Sequence, residues 1–414
     1  MSVNLYDLLS ARGFIAQSTD AAIRARFAAP VTAPVTAYVG FDPTADSLHV
    51  GSLVPIMGLY WLQQCGHRPL VVVGGATALI GDPSGKTEAR KMLSREDISA
   101  NATAIAAQIG RVVRFGEGPT DALLLNNADW LAGLSWIELL REAGPHFSVN
   151  RMLTMDSVKG RMDHGGITFL EFNYMVMQGW DFWHLAKAHG CTVQMGGQDQ
   201  WGNIVMGIEL GRRKDGFELA GLTFPLVTKA DGGKFGKSEK GNIWLSAERT
   251  PPYEFYQFWR NIADADVRRF LGFFTTLPMT EVAALTDAGG AALNHAKSVL
   301  AYEVTKLIHG AAEADRCRAG AQAAFGASQD VSGDAIPHAA LPAAELAAGL
   351  SVVQLLVRAG LAASGGEAKR LIQGGGVSVD EAKVTDLQAT INAAKDGRLV
   401  LQVGKKRFFR FDVG

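Results

Sequence analysis

The segment "VTAYVG" (35–40) is short, apolar and rich in β-branched residues, and "RPLVVVGG" (68–75) is a second such run ending in glycines. Between them, "VGSLVPIMGLYWLQQCG" (50–66) carries apolar residues at helical spacing and stops at Gly66. A strand, a helix and a strand in this order make a β-α-β unit with parallel strands. The alternation continues. "SREDISANATAIAAQIGRVVRF" (94–115) reads as helix, "DALLLNN" (121–127) as strand, "TFLEFNYMVMQGWDFWHLAKAHG" (168–190) as one long helix, "CTVQMGG" (191–197) as strand and "QWGNIVMGIELGRRKDG" (200–216) as helix. Residues 1–230 are therefore expected to form a doubly wound, Rossmann-like α/β domain, which binds ligands at the carboxyl ends of its strands.

Beyond "TFPLVTKADGGKFGKSEKGNIWLS" (223–246) the pattern changes. "PPYEFYQFWRNIADADVRRFLGFF" (251–274) and "LNHAKSVLAYEVTKLIHGAAEADRCRAGAQAAF" (293–325) are helical with no clear strand between them. An all-helical domain over 231–325 is predicted, followed by an Ala/Gly/Ser/Pro-rich linker over 326–350. The segment 351–414 reads as a small α+β domain of two short helices, a glycine-rich turn and short strands. It holds ten Lys/Arg against six Asp/Glu on a chain whose formal net charge is −1, so a polyanion partner is expected to meet the tail. Three well-separated cysteines, Cys65, Cys191 and Cys317, fit a reducing compartment and no disulfide framework. No apolar run approaches the roughly 18 residues of a membrane span, and "MSVNLYDLLSARG" lacks the basic start and apolar run of a secretory signal.

Three polar clusters fall where strands end. The first is Tyr38, Gly40, Asp42, Thr44, His49, Gly51 and Ser52. Its glycines let backbone approach a ligand, and a helix starting near His49 would aim its free N–H groups at a phosphate. The second, "GGATALIGDPSGKTEAR" (74–90), is not a P-loop. That pattern needs a glycine where Ile80 stands, and Gly81 is one place late. Asp82 is left to meet a cationic group. The third, "DGGKFGKSEKGN" (231–242), carries Lys234, Lys237 and Ser238 in a glycine-rich loop, expected to be mobile, that could clamp a triphosphate. Each cluster also has an ordinary structural reading, respectively a capped helix start, an Asp-Pro turn and a solvated basic loop.

Their order and spacing resemble the class I aminoacyl-tRNA synthetases. "YVGFDPTADSLHVGSL", "GGATALIGDPSGK", "NYMVMQGWDF", "GGQDQWGN" and "KFGKS" together resemble the bacterial tyrosyl-tRNA synthetases over nearly the whole chain. The tail is similar to a small RNA-binding domain of the ribosomal-protein type. The resemblance implies a two-step reaction, in which tyrosine is activated by ATP with release of pyrophosphate and then passed to tRNA. It implies that Tyr38 and Asp181 bind the phenol hydroxyl, that Asp82, Tyr174 and Gln178 bind the ammonium, and that Gln200 lies near the carboxylate. Asp42 also belongs to the tyrosine site. Gly40, His49, Gly51, Gly197, Asp199, Lys234 and Lys237 are implied around ATP, and Thr44, His49, Ser52, Lys234, Lys237 and Ser238 as the groups that stabilise its transition state. Mg²⁺ would accompany ATP, with no tightly bound cofactor. A homodimer in the cytoplasm is implied, with the helical domain near the tRNA anticodon end. Lys369, Arg370, Lys405, Lys406, Arg407 and Arg410 are the expected phosphate contacts of the tail.

Two positions depart from the family pattern. Ser52 stands where H-I-G-H has its second histidine, and Val39 where some relatives have cysteine. A serine hydroxyl can hydrogen-bond but is shorter than imidazole and never cationic. A tryptophan-specific relative, a pure RNA-binding protein and an inactive paralogue are the competing readings.

Overall fold

The computed structural model describes every residue except 1–2, 21, 29–32, 85–92, 164, 231, 233–234, 239–240, 326–336 and 405–406. The chain divides into one unit of residues 1–250 and 262–300 and another of 251–261 and 301–414.

In the first unit, helix α1 (Leu5–Ala11) is capped by Asn4, whose side chain accepts from the N–H groups of Tyr6 and Asp7. The central sheet is built from β1 (Gln17–Ser18), β2 (Thr36–Phe41), β3 (Arg68–Val73), β4 (Leu123–Asn126), β5 (Cys191–Gly197) and β6 (Ala220–Phe224), in the order β1-β6-β5-β2-β3-β4. All its pairings are parallel except β1 with β6. The chain builds outward from β2 to β4 and then returns to the other side of β2 with β5 and β6. The order therefore reverses between β2 and β5, which opens the crevice in which such folds bind ligands. β3 and β6 are apolar and buried on both faces, as parallel strands covered by helices must be.

Helix α2 (Leu53–Gln64) follows β2 and is buried almost all round, including Leu53, Ile56, Met57, Leu59 and Leu62. Helix α3 (Arg95–Ile109) starts at the N-cap Ser94. The helix expected over 168–190 is divided. A short helix at Phe169–Phe172, closed by a Thr168–Glu171 capping box, ends at Asn173, and α4 (Tyr174–His189) begins there. Gly190 stops α4 in the left-handed conformation. Helix α5 (Trp201–Asp215) follows β5 and packs on α4.

In the second unit, α6 (Pro252–Arg260) packs on the later helix Ala311–Phe325. The 231–325 domain boundary does not coincide with this division. Helix α7 (Val267–Phe274) belongs with the sheet unit. The reason is the buried Arg12, whose guanidinium donates to the carbonyls of Gly272 and Thr275 (3.0 Å each) and of Leu277, while Phe14 packs edge-on against Phe273 at 5.1 Å. These contacts satisfy carbonyls at the end of α7.

The basic tail forms a five-stranded sheet. After the short pair β7 (Lys237–Ser238) and β8 (Gly241–Asn242) of the first unit, this sheet is built from β9 (His338–Leu341), β10 (Val377–Val379), β11 (Ala382–Val384), β12 (Arg398–Val403) and β13 (Arg407–Val413), in the order β11-β10-β12-β13-β9. Two helices, Val352–Arg358 and Gly365–Gln373, cover a core of Leu355, Leu356, Ile372, Leu399, Leu401 and Phe411. The linker expected over 326–350 is shorter than its composition implies. Residues 338–341 pair in parallel with 410–413, and Ala343–Ala347 is a helix, so both belong to this domain. The remainder, 326–336, lies outside the described residues.

Candidate active site

Tyr38 and Asp42 come from β2 and the turn after it. Tyr38 is 2 % exposed and stands in register with Gln194 across the β2–β5 reversal. Its ring meets Phe182 edge-on at 5.4 Å among Leu70, Val72 and Leu185. Among the described residues its hydroxyl has no hydrogen-bond partner, and neither has the carboxamide oxygen of the buried Gln194. Burial, then the neighbouring Asp181, push the Tyr38 hydroxyl pKa well above the usual phenol value, so it stays protonated.

Asp181, on α4, is also buried. It accepts from Asn127 Nδ2 at 3.0 Å and Trp130 Nε1 at 2.7 Å. Burial raises its pKa to about 7 against the lowering effect of those two donors. Asn127 also donates to Thr77 Oγ1 (3.0 Å), Thr77 donates to Asp42 Oδ1 (2.9 Å), and the Tyr174 hydroxyl donates to Asp42 Oδ2 (3.0 Å). One polar chain thus links Asp181 to Tyr174 by way of Asn127, Thr77 and Asp42. Burial, followed by Asp42 and Asp82, holds the Tyr174 hydroxyl well above its ordinary pKa.

A second network joins the expected ammonium and carboxylate residues. Asp82 is buried and accepts from the Ser84 N–H (2.9 Å) and from Gln200 Nε2 (2.7 Å). Buried Asn203 donates to Gln178 Oε1 (3.0 Å) and lies within reach of Gln200 Oε1 (3.2 Å) and Ser84 Oγ (3.3 Å). Its two amide hydrogens serve three acceptors, which fixes the side chains around it. The structure therefore brings Asp82, Gln178 and Gln200 together, and Tyr174 with Asp42.

The nucleotide side is built from backbone. His49 is exposed and caps a 3₁₀ turn (Val50–Ser52), its Nδ1 accepting from the Gly51 N–H at 3.0 Å. That bond leaves Nε2 as the protonated nitrogen, suited to donate to a phosphate. A Cβ on Gly51 would come within 2.7 Å of the His49 ring, so only glycine lets the ring fold back. Ser52 is half-buried at the start of α2 and makes no side-chain capping bond. Gly40 and Thr44 are exposed. A Cβ on Gly197 would meet Asp199 Oδ1 at 2.5 Å, so glycine there admits the carboxylate. Lys234 lies outside the described residues, and Lys237 and Ser238 enter as backbone, paired with Asn242 and Gly241.

In the tail, Lys369 and Arg370 are exposed on the helix Gly365–Gln373. Arg407 is exposed and donates to the Leu361 carbonyl at 3.1 Å. Lys405 and Lys406 lie outside the described residues. Arg410 is corrected. It is buried in the sheet and its Nη2 donates to Asp412 Oδ2 at 3.0 Å, so its charge is turned to Asp412 and away from a phosphate.

Thr77, Asn127, Trp130, Gln194 and Asn203 are the site residues that sequence reasoning missed. Asn127 closes the predicted strand 121–127, Trp130 comes just after it, and Asn203 lies in "GGQDQWGN". A strand-end position was the only signal for the first two.

Against this geometry, the family model described as tRNA synthetases class I (W and Y) matches residues 30–326. A second, described as the tyrosine–tRNA ligase SYY-like C-terminal domain, matches residues 334–411. The tyrosine–tRNA ligase of Rhizobium meliloti (strain 1021) is 50 % identical over 404 residues, covering 96 % of each chain. The chain belongs to the tyrosine–tRNA ligases of class I. The ligase of Rhodospirillum rubrum is 51 % identical over 399 residues, covering 96 % of this chain and 94 % of its own. Among solved structures, the truncated mitochondrial tyrosyl-tRNA synthetase of Aspergillus nidulans aligns with a TM-score of 0.68 at 32 % identity, over 78 % of this chain and 94 % of its own.

Proposed function

We propose that this chain activates tyrosine with ATP and transfers it to tRNA, with Tyr38 and Asp181 selecting the amino acid. The observation that carries the reading is the buried base of the crevice, a partnerless phenol hydroxyl beside a carboxylate within apolar walls. A substrate phenol would donate to Asp181 and accept from Tyr38, meeting needs that the free protein leaves unmet. The ammonium would lie against Asp82, Tyr174 and Gln178, with Asp42 behind Tyr174 and Gln200 toward the carboxylate.

In the first step a tyrosine carboxylate oxygen attacks the α-phosphorus, and the bond to pyrophosphate breaks with its electron pair leaving on pyrophosphate. The attacking group is already an anion, so no protein base is needed, and positioning and charge stabilisation remain as the protein's tasks. His49 Nε2, the N–H groups at the start of α2, Thr44 and Ser52 act from one side of the phosphates, and Lys234, Lys237 and Ser238 from the other. Gly40, Gly51 and Gly197 admit the nucleotide, and Asp199 accepts from its ribose. In the second step the terminal ribose hydroxyl of tRNA attacks the carbonyl carbon and AMP leaves.

ATP enters as its Mg²⁺ complex. The triphosphate oxygens supply the hard ligands that Mg²⁺ prefers, so the ion would enter on the phosphates. The reaction as drawn requires no tightly bound cofactor. Lys369, Arg370 and Arg407 are the described candidates for tRNA phosphate contacts in the tail, and the helices of the second unit for the anticodon end. A homodimer is proposed from an exposed apolar surface on the first unit. Phe169 is 71 % exposed there and packs edge-on with the exposed Trp136 at 6.0 Å, near Ile137, Leu140 and Leu170 in sequence. The buried, unpaired thiols of Cys65, Cys191 and Cys317 suit the cytoplasm. No helix among the described residues is long and apolar enough to cross a membrane.

ATP–pyrophosphate exchange with each amino acid in turn tests the reading. Exchange that depends on tyrosine and is absent with phenylalanine and tryptophan is expected. Exchange driven by tryptophan, or by no amino acid while RNA still binds tightly, would overturn it.

A further inference from the structure

We propose that Phe235 is a positioning residue for the ATP step, anchoring the lysine loop on α7 while the next residue, Gly236, rests against the His49–Ser52 turn. The inference rests on the reading that the loop lysines act on ATP.

Phe235 is half-buried between two lysines of the loop sequence. Its ring lies 4.8 Å from that of Phe270 at 61°, and 5.6 Å from that of Phe274 in a near-parallel stack of 9°. Gly236 is buried with φ +79°, and a Cβ there would come within 2.8 Å of Val50 Cγ2. Its carbonyl accepts from the Ile243 N–H (2.8 Å), and the Ile243 carbonyl accepts from the Val50 N–H (3.0 Å). Two consecutive residues therefore join the loop to opposite neighbours, one by an aromatic ring and one by close-packed backbone.

The surface that receives the ring is itself fixed. Arg12 ties the end of α7 down through three carbonyls, and Phe14 bridges Phe273 to Phe224 (5.8 Å) at the end of β6. The start of the loop is held to the same helix, since the Ala230 N–H donates to Asp266 Oδ2 at 3.0 Å and Arg269 donates to the Thr228 carbonyl. A lysine side chain is long and has many rotamers, so the accuracy with which its ammonium meets a phosphate depends on where its backbone is held. Phe235 and Gly236 supply that hold at the midpoint of K-F-G-K-S.

The test compares full-length wild type, Phe235→Ala and Phe235→Tyr in tyrosine-dependent ATP–pyrophosphate exchange. Tyrosine affinity by equilibrium dialysis, melting temperature and the rate of tryptic cleavage within 228–240 are measured alongside. Phe235→Ala should lower kcat/KM for ATP at least tenfold and speed cleavage, with tyrosine affinity within twofold and the melting temperature within a few degrees of wild type. Phe235→Tyr, which keeps the stacking face, should recover to within threefold. If Phe235→Ala fails to fold, Phe235→Leu carries the same pattern with at least a threefold loss. An alanine variant within twofold of wild type for ATP, or one that loses tyrosine affinity in parallel, would overturn the proposal. Wild type without tyrosine-dependent exchange would instead overturn the reading it rests on, and the proposal with it.

Discussion

At the tyrosine end of the crevice, Asp181 is gripped by two donors and joined through Asn127, Thr77 and Asp42 to Tyr174. At the proposed nucleotide end, His49 is exposed, its Nδ1 accepts from the backbone N–H of Gly51, and Ser52 makes no capping bond. The first region is a set of buried side chains whose positions depend on one another. The second is a helix start and glycines, which offer the N–H groups that every residue has. A site that must distinguish one hydroxyl needs rigid, desolvated groups that suffer if left unpaired. A site that follows charge developing on phosphate needs dipoles and cations that can approach it. The contrast also bears on the altered motif. If backbone and loop lysines do most of the work, as proposed, a serine at position 52 should be tolerated, whereas a change at Asp181 should not.

Substitutions should separate the two regions, and the largest effect is expected at Asp181. Asp181→Asn should lower kcat/KM for tyrosine by roughly a thousandfold while leaving ATP binding near wild type, read by steady-state exchange kinetics. Its pH behaviour is a second readout. The folded pKa of about 7 lies above the ordinary carboxylate value, so the folded state holds an extra proton between the two. The stability it contributes is complete below the unfolded pKa and is lost as pH rises through about 7. Asp181→Asn should therefore melt higher than wild type at pH 8, with the difference shrinking toward pH 4. In wild type, kcat/KM for tyrosine should fall as pH drops below about 7, because the ionised carboxylate is the phenol's acceptor.

Asn203→Ala comes next. It strands acceptors on Gln178, Gln200 and Ser84, at a cost of about 1–3 kcal/mol in stability by denaturant titration, with KM for tyrosine up about tenfold or more. Tyr38→Phe should cost about tenfold in kcat/KM for tyrosine with little loss of stability, since the hydroxyl it removes has no partner among the described residues. A clear drop in melting temperature would show that the hydroxyl is engaged before substrate arrives. The smallest effect belongs to position 52. Ser52→Ala should stay within about threefold in the activation rate by single-turnover adenylate formation. A gain of a hundredfold or more in Ser52→His would mean that the nucleotide end relies on side chains after all.

The contrast also explains what could be read in the sequence. The strands β2, β3 and β5 are apolar runs buried on both faces, so their pattern survives without any knowledge of neighbours. The edge strand β1 is two residues long, and β6 was hidden in the approach to the lysine loop. The short helices at Trp136–Glu142, Val149–Leu153 and Asp156–Asp163 expose much of their apolar surface, so no single face stands out in the sequence. The candidate residues His49, Asp82 and Gln200 stand in recognisable motifs and could be picked out as candidates from the sequence. Thr77, Asn127 and Asn203 could not, because a lone polar residue has no periodicity and gains meaning only from the partner that folding brings to it. Arg410 failed for the opposite reason. Its charge suggested a surface, but its place in β13 turns it inward toward Asp412.

The central claim is that two buried polar groups, Tyr38 and Asp181, choose the substrate. The ratio of kcat/KM for tyrosine to that for phenylalanine, in wild type and in the Tyr38→Phe, Asp181→Asn double variant, tests it most directly. Leaving Tyr38 unpaired and denying Asp181 the phenol's hydrogen bond predicts a wild-type ratio of at least roughly a thousandfold, and a ratio near unity in the double variant. A double variant that still prefers tyrosine by a hundredfold would contradict the account and place the selection elsewhere in the crevice.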